Sequence, residues 1–588
     1  MKIQVPVPAI LACLLSVLAL QDARAEGAPR PAPLRLRSIG LAVAIDYPNE
    51  KLAGTATLEI ENWTEEPAAA VSLLLNRLMR FDAIGLPGGA ALPFSQEIVA
   101  FTDSPKEQVN RASIRLSKEL APGGRATLVV SYSGYLVGYT ETGSLYIQDR
   151  IDPEFTILRA DAYAFPVVGV PSWKANRSVP PVDFSFDVAA TVPNELTVAS
   201  GGTLVEKRTA AAATTWKYRS ASPAPFLNVA VAKYAILGKD GIRVFAFPQD
   251  EAGGKSVLAA ARRAIELFTR SFGPTTPPPA FAVIEIPEGW GSQASLAGGI
   301  IQTADAFREA SQLRQLYHEI SHFWNPPDTD LPSARWNEGL ASYLERRAAR
   351  DLDGRDEIDA SASARAERLL SLAPENPRLR SVPLAAYGKE AMTDFSYSVG
   401  AILFGLLDRA LGPARFDALI GGYYQKHRTS GAGSAEFLRE AKALGGPQAA
   451  AILHDWFETV RWYERLSAGE SLAEIAASYS PDTGSRVVSP ETLSSVREFV
   501  GRRFPALKGA PLVGGEVCQY ENTSNGDFLI DRHPDSENVW PVGGGSGHGF
   551  KHGPAVGEYV AARIIQGGAP DTRFRLATKE KVQKRSVY

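Results

Sequence analysis

Two short segments limit what this chain can fold into. His318-Glu319-x-x-His322 lies within an apolar series of Leu313, Leu316, Ile320 and Phe323, and Asn337-Glu338-Gly339 opens the run "NEGLASYLERRAARDL". Positions four apart share one face of a helix, so both imidazoles can point at a single ion. Neutral imidazole suits Zn²⁺, and Glu319 between the two histidines can take a proton from water as a general base. A catalytic zinc also needs a third protein ligand, which Glu338 can supply from the start of a second helix. H-E-x-x-H alone occurs by chance on buried helices; a glutamate on the next helix is an independent requirement. The fold must therefore bring two helices together so that these three side chains converge.

At 588 residues the chain exceeds one core, and roughly three or four domains are expected. A net charge of −3 leaves no electrostatic footprint for nucleic acid. Residues 1–25 read as a signal peptide: Lys2, the apolar run Ile10–Leu20, and Ala23-Arg24-Ala25 before Glu26. The run is too short to span a bilayer, and no later stretch reaches the ~20 residues needed. Export to a bacterial periplasm or the exterior is expected, with no transmembrane segment. Removing that segment takes Cys13 and leaves Cys518, so no internal disulfide is expected.

The texture changes along the chain. Residues 26–240 read as an N-terminal β domain, since "TATLEIENW", "RATLVVSYSGYL", "DFSFDVAATV" and "TTWKYRSA" carry β-branched and aromatic residues between turns. Without strand–helix alternation, an antiparallel sheet or sandwich is favoured. Residues 241–467 read as an α+β block: strand "IRVFAFP", helix "KSVLAAARRAIELFTRSFG", strands "FAVIEIP" and "LAGGIIQT", then helices. A linker at 468–488 leads to residues 489–588, which read as strands, a Gly-rich loop and a helix.

With these motifs in place, residues 36–460 resemble the gluzincin zinc aminopeptidases, the family of membrane alanyl aminopeptidase and leukotriene hydrolase. "AVAIDYPNEKLAGTATLEIEN" and "LTVASGGTLVEK" resemble the family's N-terminal β domain. The resemblance implies a thermolysin-like catalytic domain, Zn²⁺ on His318, His322 and Glu338, Glu319 as base, and a peptide or protein substrate. It implies that Tyr397, in "YSVG", donates a hydrogen bond to the oxyanion. Three departures accompany it. The spacer from Phe323 to Asn337 is 15 residues, against the family's usual 18. "SQASL" stands for the family's G-A-M-E-N strand, with Ser295 where a carboxylate holds the substrate's free amine, followed by the matching Ala297 and Gly298. Val399 replaces the lysine of Y-x-K-G. A serine cannot ion-pair with an ammonium group, so aminopeptidase specificity is not expected to carry over.

The last hundred or so residues resemble a different family. "CQYENTSNGDFLIDRHP" and "GGGSGHGFKHGPAVGEYVA" are similar to the C-terminal part of sarcosine oxidase-type FAD-dependent oxidoreductases. That resemblance implies flavin contacts at Cys518, Gly547, His548, Gly549 and Lys551. The family's dinucleotide fingerprint, which seats the pyrophosphate at a helix N-terminus, has no counterpart in the chain. FAD is therefore not expected to bind, and the segment reads as a partial α/β flavoenzyme fragment. The expectation is a multidomain α+β metallopeptidase. The alternatives are a peptidase-fold binding protein that has lost activity, and an FAD-dependent amine oxidoreductase. Oligomeric state is left open.

Overall fold

The computed structural model describes residues 30–180, 183–238, 241–276, 280–479, 490–511, 521–545 and 549–580. Chain contacts divide it into two compact units. The first holds residues up to Asn337 with Leu344–Glu357 and His427–Gly431; the second holds Glu338–Tyr343, Ile358–Lys426 and Ala432 onward.

The first unit begins with β structure. Its strands are β1 (Leu34–Asp46), β2 (Lys51–Asn62), β3 (Ala68–Asn76), β4 (Met79–Gly85), β5 (Phe94–Ala100), β6 (Gln108–Leu120) and β7 (Arg125–Tyr135). They continue through β8 (Phe155–Arg159), β9 (Val167–Val168), β10 (Ser185–Pro193), β11 (Thr197–Ser200), β12 (Thr203–Thr209), β13 (Ala213–Arg219) and β14 (Asn228–Ala232). A seven-stranded sheet runs β12-β13-β10-β1-β2-β7-β4, beside a four-stranded sheet β5-β6-β3-β9 and a three-stranded sheet β11-β14-β8. One departure from the antiparallel expectation occurs in the large sheet, where β1 and β10 pair in parallel. These strands are far apart in sequence, so no hairpin fixes their direction. Alternation along β1 and β2 sends Leu41, Val43, Leu58 and Ile60 into a core shared with Leu73, Val130, Phe186 and Trp216.

The second part of this unit carries the site. Strands β15 (Ala235–Leu237), β16 (Ile242–Ala246), β17 (Phe281–Ile286), β18 (Gln293–Ser295) and β19 (Gly299–Thr303) form the sheet β15-β16-β17-β19-β18. The three central strands are parallel, and both outer strands are antiparallel to their neighbours. Between β16 and β17 runs α1 (Glu251–Phe272), which buries Val257, Ala260, Ala261, Ala264 and Phe268 at helical spacing and stops at Gly273. The single strand expected over "LAGGIIQT" is shorter, because Gly299 turns the chain at φ 78° and β18 folds back on β19. Residues of Gly201 and Gly299 approach so closely that a Cβ on Gly299 would lie 2.8 Å from Gly201 Cα.

Next come α2 (Leu313–Ser321) and α3 (Trp336–Asp353), the latter shared between the two units. The second unit is helical: α4 (Ile358–Leu372), α5 (Ser396–Leu411), α6 (Pro413–His427) and α7 (Ser434–Leu453), kinked at Gly446-Pro447. Phe404, Phe437, Trp456, Phe457 and Trp462 fill its core, with Trp456 stacked on Trp462. Its C-terminal portion holds α8 (Pro490–Arg503), the two-residue strands β20 (Leu529–Ile530) and β21 (Val542–Gly543), and α9 (Gly549–Gln566). No described residue of α9 is buried, and Phe550 is 100% exposed. Among the described residues no helix is long and apolar enough to cross a membrane.

Candidate metal centre

Helix α2 buries Leu313, Leu316, Tyr317 and Ile320 on one side and then tightens into a 3₁₀ turn at His322–Trp324. The turn is pinned from both sides. Trp324 Nε1 donates to Gly273 O at 2.8 Å, and Phe323 packs edge-on against Phe281 of β17. The His318 and His322 rings lie 5.0 Å apart at 80° to each other. Ligand atoms of His318, His322 and Glu338 all fall within 4.8 Å of one another, the one such cluster of His, Cys, Asp and Glu found among the described residues. Glu319 and Glu338 are both buried.

Each histidine is also held at its Nδ1. Glu345 Oε2 lies 3.2 Å from His318 Nδ1, and the Asn325 side-chain amide lies 2.8 Å from His322 Nδ1. With Nδ1 of each ring engaged, Nε2 is the nitrogen left for a metal. Asn325 Nδ2 is the atom placed there; a metal on Nε2 would leave Nδ1 protonated, and the amide would then turn so that its oxygen accepts. Glu345 is itself fixed by Arg314 at 3.1 Å. The same pair of helices is braced by Tyr317, whose hydroxyl donates to Asp353 Oδ2 at 2.8 Å and whose pKa burial raises. Two imidazoles with oriented Nδ1 partners and a buried carboxylate form a donor set that fits Zn²⁺.

The sequence reading did not pick out Glu345 or Asn325. Glu345 carried a usable signal, since it follows Glu338 by two helical turns and so shares its face. Asn325, just past the end of α2, carried none.

The short spacer is ordered locally. Asp328 accepts hydrogen bonds from Asp330 N at 2.9 Å and from the Ser333 hydroxyl; Ser333 Oγ in turn accepts from Arg335 N at 2.9 Å. Burial raises the Asp328 pKa. Arg335 takes a left-handed conformation, φ 52°, and α3 starts at the next residue, placing Glu338 in its first turn.

Within the second unit, Gly339 of α3 meets Gly400 of α5. A Cβ on Gly339 would lie 2.4 Å from Gly400 Cα and 2.7 Å from Ser396 O. Glu338 and Tyr397 are each next to a residue of this crossing. Tyr397 O accepts from Arg365 Nη1 at 3.1 Å, while Val399 is fully buried in the helical core.

Ser295 ends β18, and its hydroxyl accepts from Gly298 N at 2.7 Å, bracing the turn into β19. Ala297 packs against the β-domain core, and Gly298 leaves no room for a Cβ beside Phe226. Cys518, Gly547 and His548 lie outside the described residues. Gly549 and Lys551 sit in the first turn of α9, where Gly549 N donates to Gly545 O.

Two likenesses meet in this chain. The FAD dependent oxidoreductase family matches residues 428–563. Monomeric sarcosine oxidase of Bacillus sp. (strain B-0618) is 37% identical over 114 residues, 18% of this chain and 29% of that protein. N-methyl-L-tryptophan oxidase of Salmonella typhi is 37% identical over 105 residues, 16% of this chain and 28% of that protein. The chain thus spans under a third of the length of these relatives. In overall fold it is similar to the M1 zinc metallopeptidase of Deinococcus radiodurans. A mutant of that enzyme, solved with a Tyr-Ser-Ala substrate, has a TM-score of 0.53 at 20% identity over 72% of this chain and 94% of the other. The same enzyme solved without the mutation has a TM-score of 0.52 at 19% identity over 72% and 93% of the two chains. At such identity the likeness is one of fold. The chain therefore joins N-terminal β sheets and an M1 peptidase-like middle to an oxidoreductase-like C-terminal segment.

Proposed function

We propose that this chain is a zinc-dependent hydrolase of peptide bonds, with Zn²⁺ held by His318, His322 and Glu338. The observation that carries the reading is the convergence of those ligand atoms within 4.8 Å, with Glu319 on the same helix. Zinc bound there supplies Lewis acidity for the scissile carbonyl and for water. Glu319 takes the proton from the attacking water and returns it to the leaving amine. The Tyr397 hydroxyl donates a hydrogen bond to the oxygen that gains charge. Glu345 and Asn325 keep the imidazoles oriented.

The substrate is a peptide or protein, as the solved complex of the Deinococcus radiodurans enzyme with Tyr-Ser-Ala suggests by analogy of fold. A free amine has no carboxylate at Ser295, whose hydroxyl is committed to Gly298 N. N-terminal specificity is therefore not assigned. Residues 1–25 are proposed as an export signal, 26–240 as the β domain, 241–467 as the catalytic domain, 468–488 as a linker and 489–588 as the flavoenzyme-like fragment.

Metal analysis of the purified chain, together with hydrolysis of N-terminally free and N-acetylated peptides, tests the reading. Stoichiometric zinc that is lost in His318→Ala, with cleavage of at least one peptide class, is expected. Zinc-loaded protein that cleaves neither class would favour the second reading, a peptidase-fold binding protein, to which burial of Val399 in place of a lysine points.

A further inference from the structure

Arg159, at the end of β8, is a buried cation whose guanidinium donates from all three of its nitrogens. Nε lies 2.9 Å from Asp149 Oδ1 and Nη2 lies 2.7 Å from Asp149 Oδ2, in a pair 1% and 0% exposed. The remaining donors leave the pair: Nη1 donates to Trp290 O at 3.0 Å and Nη2 to Tyr146 O at 2.8 Å. Those carbonyls belong to two loops, one after β7 and the other between β17 and β18.

The loops are tied again nearby. Gln148 Nε2 donates to Gly289 O at 3.1 Å, and the Tyr146 side chain rests on Gly291, where a Cβ would come within 3.2 Å of it. Two residues past Gly291, Gln293 opens β18 and donates to Asp161 Oδ2 at 2.7 Å. Strand β18 pairs only with β19 in its sheet and packs against α2 and the 3₁₀ turn after it, which carry His318 and His322 respectively. Tyr146 is 42% exposed, and Leu145, its neighbour in the chain, is 70% exposed.

A buried ion pair is seldom the most stabilising choice, because desolvation offsets most of its Coulombic gain. An apolar pair of the same volume could fill this space. It could not hold the two loop carbonyls, whereas the guanidinium fork bonds both while it stays paired with Asp149.

We propose that Arg159 is a positioning residue which, with Asp149, fixes Tyr146 over the Gly289–Gly291 turn, so that Leu145 and Tyr146 form an apolar wall at the start of β18 that selects peptides with an apolar side chain. The inference rests on the peptide-hydrolase reading. An extended peptide can use the backbone of an edge strand regardless of its sequence, so discrimination has to come from side chains beside the edge.

The test uses the full chain loaded with zinc and internally quenched peptides that differ at one position, Ala, Leu, Phe or Asp. Wild type is expected to favour Leu and Phe. Tyr146→Ala should raise KM for those two by about tenfold, the scale of losing an apolar contact, with kcat kept. Arg159→Met with Asp149→Leu removes both charges without leaving one unpaired. It should reproduce that KM pattern with unchanged zinc content and Tm, and speed amide exchange within residues 287–296. Arg159→Lys, which keeps the charge but loses the fork, should fall between the two. Wild-type-like selectivity in both Tyr146→Ala and the double variant overturns the proposal, as does unchanged exchange in the double variant. If wild type cleaves none of the peptides, the hydrolase reading fails and the selectivity falls with it. Amide exchange separates the two failures: acceleration confined to 287–296 still supports the positioning role.

Discussion

At the scale of single residues, the proposed site divides into groups that would touch the reaction and groups that would aim them. Glu319→Gln keeps the shape of the proposed base but not its basicity. Zinc content should be unchanged while hydrolysis falls by about 10²–10⁴-fold, measured as kcat with the metal assayed on the same sample. Glu345→Gln removes the charge facing His318 Nδ1, and zinc affinity measured by competition with a chelator should weaken by about 10–100-fold. A third carboxylate behaves differently. Glu285, fully buried on β17, accepts from Phe247 N at 2.6 Å; burial pushes its pKa up to about 9, helped by the Asp250 carboxylate. The folded state therefore holds a proton that the unfolded state releases. Its contribution to stability is complete below the ordinary value of 4.5 and is lost as pH rises toward about 9. The slope is at most about 1.4 kcal/mol per pH unit. Glu285→Gln, neutral throughout, should gain in Tm over wild type between pH 5 and pH 9, with the gap closing at the acid end.

At the scale of elements, helix crossings and turns place the chemistry. Gly339 is required by the approach of α3 to α5, since any Cβ there meets the Gly400 backbone. Gly339→Ala should cost about 1–3 kcal/mol by overpacking, read as a lower Tm, and should reduce kcat because Glu338 and Tyr397 flank the contact. The spacer before α3 achieves its turn through Asp328 and Ser333, which explains how 15 residues suffice to deliver Glu338. Much at this scale was legible in the sequence. Helix α2 declared itself by the apolar period of Leu313, Leu316 and Ile320, and α1 by its Gly273 stop. The parallel pairing of β1 with β10 and the β18–β19 hairpin were not legible. Strand direction depends on which distant partner closes the sheet, and a local alternation pattern is the same for either.

At the scale of the whole molecule, the chain carries parts that resemble two unrelated families. The oxidoreductase-like portion covers under a third of the length of its relatives, and α9 leaves Phe550, Ile564 and Ile565 exposed. The purified chain should show no visible flavin absorbance, even after incubation with FAD and dialysis; a retained flavin spectrum would restore the oxidoreductase alternative.

The sequence alone singled out His318 and His322 as candidate ligands and Glu319 as the candidate base, because i, i+4 spacing on a helix is a local property that chemistry can read. The second resemblance was legible too, although the family match runs over 428–563 and so begins upstream of the expected 489. Only the tertiary structure decided who aims those ligands. Glu345 and Asn325 at the imidazoles, Gly400 beneath Gly339, and Arg159 between two loops are contacts between residues whose spacing follows from packing. Ser295 shows the same limit. Its hydroxyl was legible as a missing charge, but its bond to Gly298 N appears only once β18 turns back on β19. Local patterns fix what a side chain is able to do, and long-range packing fixes what it meets.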